Sequence, residues 1–302
     1  MTVTYVDVLI KDDRIVKGRF QSNLRQDIRI MRNFDIIKEA VERNIPESTL
    51  TLIKRHFEGS TLIRGAPENF YNGLSREQGI YFILFYLLKH GDHRLRSDAL
   101  RDNFDLNKNA IADILDRFSE SIDQFNLNNL TKRSNEDLLD VASRFVGPSF
   151  RDIHALIDGV HIKVLGLDKE VTGLFPDSFR SHKFNYKNAV SFQVCIGADL
   201  RAEWCDQGNA AGCADMRCLW RSDFHLMFAN CNILGDTGYI NSYYPINIIT
   251  KYKAPRGGAL TQEQVNYNYA HGQERNPIER LLGILKSRFE FLQDGYRGPL
   301  HH

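Results

Sequence analysis

Three carboxylates sit where an acid contributes little to stability. Asp158 closes the apolar run Ile153 to Ile157 and precedes Gly159. Asp236 closes the short run Asn232-Ile233-Leu234-Gly235 and precedes Thr237-Gly238. Glu279 lies on the polar face of an amphipathic helix, with Gly283 and Lys286 along the same face. If the two runs are neighbouring strands, Asp158 and Asp236 share one sheet edge, and the helix brings Glu279 to it. Such a set offers only oxygen ligands, which suits hard divalent cations and favours magnesium or manganese over zinc. Two such ions about 4 Å apart serve in-line displacement at phosphorus by water or a 3′-hydroxyl. Each acid also has a plainer reading. Asp158-Gly159 is a turn or hairpin dipeptide, and Asp236 before Thr237-Gly238 reads the same way. Glu279 follows Asn276 and Pro277 at the spacing of a helix cap.

A second cluster is cationic and aromatic. Arg180, Lys183 and Lys187, with His182, Phe184 and Tyr186, fall within eight residues. Phosphate neutralisation and base stacking need these types together. The plainer reading is a solvated loop with its aromatics tucked into the core. Arg275, Arg280, Lys286 and Arg288 form a further basic face on the acid-bearing helix.

Two kinds of element must position these groups. To about Arg144 the chain reads as helical. Ile28, Met31, Phe34, Ile37 and Val41 recur at helical spacing until Pro46. Ser75 and Gln78 resemble a capping box, opening a helix through the apolar run Ile80 to Leu88, and Gly91 ends it. Ser97 to Phe104 and Asn107 to about Gln124 then outline a helix-turn-helix. Asp113 and Asp116 would repel phosphate there, so a plain helical bundle remains the alternative. In the second half the period changes. Val190, Phe192, Val194 and Ile196 alternate with Ser191, Gln193 and Cys195 as a strand. From Thr261 to Leu292 the helical period returns, with Ile278, Leu281, Leu282, Leu285, Phe289 and Leu292 on one face. Strands followed by strand and helix point to a mixed α/β domain.

Composition bounds the function. Of 302 residues, 25% are charged and 42% apolar, which excludes disorder, collagen and a disulfide scaffold. With 39 Lys+Arg against 38 Asp+Glu the formal charge is +1, so any nucleic-acid surface must be a local patch. The five cysteines form no CxxC pair and read as reduced thiols of an intracellular protein. Cys213 and Cys218 with His225 fit no zinc spacing. The run Ile80 to Leu88 is too short to span a membrane and reads as a buried helix. Met1 to Asp13 lacks a signal-peptide layout, so no membrane partner is expected.

Four segments occur in order: Ile157-Asp158-Gly159-Val160-His161-Ile162; Arg180 to Asn188; Leu234-Gly235-Asp236-Thr237-Gly238-Tyr239; and Arg275 to Phe289. Together they resemble the DDE nuclease domain of Harbinger-type transposases and their domesticated descendants, over about Arg151 to Leu292. A fainter likeness covers Leu74 to Ile122. The resemblance implies an α/β, ribonuclease-H-like DDE nuclease domain over 146–302. It would be preceded by an all-helical region, 1–145, with a helix-turn-helix-like core at about 74–124. It implies the triad Asp158, Asp236 and Glu279 as catalytic and metal-binding residues, with Arg275, Gly283 and Lys286 completing the third motif. Asp215, at the end of the looser segment Gly208 to Asp215, would assist the metal site. Arg180, His182, Lys183, Tyr186, Lys187, Arg275 and Lys286 are the candidate DNA contacts. The sequence departs from the family at Val160, where Thr is usual. Gly272 and Pro277 lie where a continuous helix is expected, which would alter the approach of Glu279.

The expected activity is that of a Mg2+- or Mn2+-dependent DNA endonuclease and transposase, acting by phosphodiester cleavage and strand transfer. The alternative is a domesticated, catalytically weak or inactive nuclear DNA-binding or scaffold protein. A ribonuclease or resolvase on the same fold is a third reading. The resemblance also implies double-stranded DNA as partner, a Myb-like accessory protein, self-association, and a nuclear location with shuttling from the cytoplasm. No basic run reads as an import signal.

Overall fold

In the computed structural model the described residues are 34–35, 37–59, 76–89, 133–144, 149–165, 177–206, 208–240 and 245–296. The chain divides into two units, Met1–Ile122 and Asp123–His302. The Ser75 cap and both expected helices of the helix-turn-helix lie outside the described residues, as does most of the stripe from Ile28 to Phe34.

In the first unit, helix α1 (Glu47–Gly59) buries Leu50, Ile53 and Phe57, spaced three and four residues apart. Helix α2 (Arg76–Lys89) buries Ile80 to Phe85 and Leu88, on every side of the helix. This is the buried helix expected from its unbroken apolar run. The buried Tyr81 phenol is satisfied, because its hydroxyl donates to Glu42 Oε1 at 2.8 Å. Among the described residues no helix is long and apolar enough to cross a membrane.

The second unit is a mixed α/β layer structure. Its strands are β1 (Ala155–Lys163), β2 (Ala189–Ile196), β3 (Ala202–Cys205), β4 (Asn209–Ala210), β5 (Asn232–Leu234) and β6 (Asn247–Ile249). They form one sheet in the order β3-β2-β1-β5-β6, with β4 also on β2. Strand β2 pairs antiparallel with both β1 and β3, while β1, β5 and β6 run parallel. Helices α3 (Asn135–Ser143), α4 (Asp215–Arg221) and α5 (Phe224–Met227) belong to one face, where Leu138, Leu219, Phe224 and Phe228 pack on Ala155, Ile157, Cys195 and Ile233. The long helix α6 (Gln262–Arg288), followed by the short α7 (Glu290–Asp294), belongs to the other. There Ile278 and Leu282 pack on Leu156, Val160, Val194 and Ile196, with Leu281 and Leu285 partly buried beside them.

Three local expectations are corrected. Asp158-Gly159 makes no hairpin: β1 runs straight through it, with Asp158 opposite Val194 and Gly159 opposite Gln193. A turn dipeptide reverses a chain only when its flanks pair with each other, and here both flanks pair with β2. Nor do Gly272 and Pro277 break α6. An interior proline costs about 3 kcal/mol, but burying Ile278 and Leu282 returns about 1.5–3 kcal/mol each, and Pro277 is itself buried. Finally, Glu279 is not a cap residue. The helix starts 18 residues earlier with a capping box, in which Thr261 Oγ1 accepts from Gln264 N and Gln264 Oε1 accepts from Thr261 N.

Candidate active site

The parallel ladder of β1 and β5 ends at Leu156↔Leu234. Asp158 and Asp236 each stand two residues beyond that pair, so adjacent strands deliver both carboxylates to one edge. Each is steadied by a local amide. Asp158 Oδ1 accepts from Gly159 N at 2.9 Å, and Asp236 Oδ1 accepts from Gly238 N at 2.7 Å, capping the 3₁₀ turn Thr237–Tyr239.

Asp215 joins them from the start of α4, on the opposite face of the sheet from α6. A β-carbon at Gly238 would lie 2.3 Å from Asp215 Oδ2 and 2.9 Å from Asp236 Oδ1. Both carboxylates therefore close on one point that only glycine leaves open. Beneath them runs a chain of hydrogen bonds. The wholly buried Tyr239 donates its hydroxyl to Gln193 Oε1, and Gln193 Nε2 donates to Asp215 Oδ1 at 3.0 Å and to Ser191 Oγ at 3.3 Å. Burial holds the Tyr239 phenol well above its ordinary pKa, and the charges of Asp215, Asp158 and Asp236 push it further. It therefore stays a neutral donor.

From the α6 face comes Arg275, whose side chain is 5% exposed. Its Nη2 lies 3.1 Å from Asp158 Oδ2, and its Nη1 lies 3.5 Å from Glu279 Oε1. The Nε is buried with no hydrogen-bond partner among the described residues. Glu279 is 55% exposed and reaches the site through this guanidinium. Arg275 thus packs inside the acidic site rather than on an open basic face.

Burial and the neighbouring Asp236 raise the Asp158 carboxyl above the usual range, against the pull of Arg275 and Lys183. Asp215 is raised by burial and by Asp236, against its bond from Gln193 and the charges of Lys183 and His161. The edge is thus an acid-rich, partly desolvated place whose carboxylates oppose one another's ionisation.

The basic turn is tied to this edge. Ser181 N donates to Tyr186 O at 2.9 Å, and Ser181 Oγ lies 2.7 Å from His161 Nδ1 on β1. Phe184 and Tyr186 stack with centroids 5.7 Å apart. Lys183 Nζ and Lys286 Nζ sit over the Phe184 ring at 5.8 and 5.3 Å, and Lys183 Nζ is 3.9 Å from Asp236 Oδ2. The fold thus brings together Lys183, Tyr186 and Lys286. Arg180, His182 and Lys187 are exposed on the same turn without a bond to the acids among the described residues.

Among the described residues no three His, Cys, Asp or Glu side chains are grouped closely enough to hold a metal ion as they stand. The donor chemistry nevertheless fits a hard divalent cation. The candidate ligands are all carboxylate oxygens, two of them are destabilised as anions by burial, and a glycine leaves space between two of them. The five cysteines are free thiols and none joins the site.

Three members of the arrangement were not singled out from sequence: Gln193, Tyr239 and His161. Gln193 was visible only as the polar half of an alternation, which assigns it to solvent. Because β2 is covered on both faces, that half is buried as well.

Residues 157–302 match the family described as DDE superfamily endonuclease. Comparison with curated proteins and with solved structures finds no match.

Proposed function

We propose that the second unit is a divalent-metal-dependent DNA endonuclease of the transposase type, with a ribonuclease-H-like fold and Harbinger-type motifs. One observation carries this reading: Asp158 and Asp236 lie at the same edge of adjacent parallel strands, joined by Asp215 from one side and Glu279 from the other. The family match over residues 157–302 supports it.

Asp158, Asp236 and Glu279 would hold magnesium or manganese, with Asp215 assisting. When bound, the ions would supply an activated nucleophile and neutralise the leaving oxygen of a phosphodiester. The chain's own groups do the rest. Gln193, held by Tyr239, fixes the rotamer of Asp215. Arg275 balances Asp158 and Glu279 and orients both. Lys183 and Lys286, gathered on Phe184, meet the non-bridging oxygens of the phosphate beside Asp236. The partner is double-stranded DNA in the nucleus, reached with a Myb-like accessory protein and as an oligomer.

Removing one ligand should remove the chemistry and leave the fold. Asp236→Asn is expected to lower metal-dependent duplex cleavage by about 10³-fold, the value of several kcal/mol of charge stabilisation. Full cleavage by this variant would sink the assignment, and preference for an RNA–DNA hybrid would redirect it to a ribonuclease.

A second reading has its own observation. Arg275 already supplies a cation to Asp158 and Glu279, as a domesticated, non-catalytic DNA-binding descendant would require. That reading expects duplex binding insensitive to metal and no cleavage under any divalent ion.

A further inference from the structure

The segment between β6 and α6 is a basic arm with an anchored root. Residues 250–261 carry Lys251, Lys253 and Arg256 and no acid. Side chains of α6 hold its root by the backbone. His271 Nε2 donates to Ile249 O at 2.9 Å, and the Tyr267 hydroxyl donates to Thr250 O at 3.4 Å. Asn268 grips Tyr252 from both sides: its Oδ1 accepts from Tyr252 N at 2.8 Å, and its Nδ2 donates to Tyr252 O at 3.0 Å. The Tyr252 and Tyr267 rings meet edge to face, 4.9 Å apart. The arm then closes in a turn, with Gly258 N donating to Pro255 O at 3.0 Å and Gly257 at φ +78°. A positive φ at the third turn position is the type II geometry, which puts Arg256 at the tip. Lys253 and Arg256 are exposed, Lys251 is half-buried, and Tyr252 is 50% exposed. No ion pair to any of the three cations is formed among the described residues.

The place of this arm matters more than its charge. Lys251 Nζ lies 3.1 Å from where a β-carbon at Gly272 would be. From Gly272 the same face of α6 carries Arg275, Glu279, Gly283 and Lys286, at spacings of three and four residues. The candidate acids thus lie between two cationic groups on one helix face. Lys251, Lys253 and Arg256 flank one end, and Lys286 with Lys183 flanks the other. Fourteen residues of helix separate Gly272 from Lys286, roughly 21 Å of rise, or about six base pairs of duplex axis at 3.4 Å each.

We infer that the arm is a backbone clamp for duplex DNA, gripping phosphates on the Lys251 side of the cleavage point independently of sequence. The inference rests on the nuclease reading and adds the direction in which the duplex lies, along α6.

The test is a salt titration of the full chain with a 30-base-pair duplex, comparing wild type with the triple variant Lys251→Gln, Lys253→Gln, Arg256→Gln. Each phosphate neutralised contributes about 0.9 to the slope of log affinity against log salt. The variant's slope is expected to be shallower by about two to three, with an unchanged melting temperature. A steep wild-type slope with an equal slope in the variant would overturn the clamp and leave the nuclease reading standing. A wild type with no salt-dependent duplex affinity would overturn both. A variant that loses affinity for poly-glutamate but keeps its duplex slope would give the arm to an acidic protein partner and overturn the proposal.

Discussion

The guanidinium of Arg275 lies 3.1 Å from the carboxylate of Asp158, and the two side chains are only 5% and 13% exposed. Neither charge is well hydrated, so each depends on the other. Breaking a buried pair by removing one partner typically costs about 3–5 kcal/mol, because the remaining charge is stranded. Arg275→Met is therefore expected to lower the melting temperature of the metal-free protein markedly. If a divalent ion can take over the neutralising role, millimolar magnesium should recover more of that loss in the variant than it adds to wild type. Thermal unfolding with and without magnesium checks this; an unchanged melting temperature in the variant would refute the dependence.

Two glycines near the acids should respond oppositely to alanine. At Gly238 the added carbon would lie 2.3 Å from Asp215 Oδ2, so a carboxylate must move. Gly238→Ala is expected to destabilise the fold and abolish cleavage. At Gly283, within α6, nothing lies within 4 Å of the added carbon. Gly283→Ala is expected to stabilise by up to about 1 kcal/mol, the ordinary helix preference. Yet Gly283 sits on the face that carries Glu279 and Lys286, where a DNA backbone would approach. Weaker duplex binding is expected despite the higher stability, and unchanged affinity would remove this surface from the contact.

His271 should make the second unit acid-sensitive. It is buried, with Nε2 donating to Ile249 O and Nδ1 lacking a hydrogen-bond partner among the described residues. Burial lowers its pKa below the ordinary 6.5, the bond to Ile249 opposes that, and Arg275 and Lys251 lower it further. A histidine with a lowered folded pKa stays neutral in the native state while the unfolded chain takes up a proton. Its contribution is therefore complete above pH 6.5 and is lost as pH falls toward the folded value, by at most about 1.4 kcal/mol per pH unit. Wild type should lose more stability between pH 7.5 and 5.5 than His271→Gln does. Equal losses would show that other groups carry the acid sensitivity.

The tether of the basic turn can be tested apart from its charges. Phe184 holds Lys183 and Lys286 from two different elements. Such cation–π contacts are worth about 0.5–1 kcal/mol each when exposed. Phe184→Leu is expected to weaken duplex affinity several-fold while leaving the salt slope unchanged, since no charge is removed. A change in slope without a change in affinity at low salt would contradict this role.

The parts of the fold legible in the sequence were those with an unbroken local pattern. The run Ile80 to Leu88, the alternation along Val190 to Ile196 and the helical face of Ile278 to Leu285 each appear where their periods place them. Asp158 and Asp236 were legible because an acid after an apolar run is conspicuous. What misled were cues whose outcome depends on distant partners. Asp158-Gly159 reads as a turn unless β2 is known to pair through it. Pro277 reads as a break unless the burial around Ile278 is known. Gln193 reads as a surface residue unless both faces of the sheet are known to be covered. The role of Arg275 inside the acidic site was hidden for the same reason: a basic residue on an amphipathic helix carries no mark of which neighbours it will meet.

Helix α6 bears the root contacts of the basic arm, Arg275, Glu279 and Lys286 on one unbroken rod. It therefore acts as a ruler. One residue inserted or deleted between Gly272 and Glu279 would rotate everything beyond it by about 100°, carrying the acid and Lys286 away from the edge defined by Asp158 and Asp236. This stretch can therefore vary in residue type only at constant length.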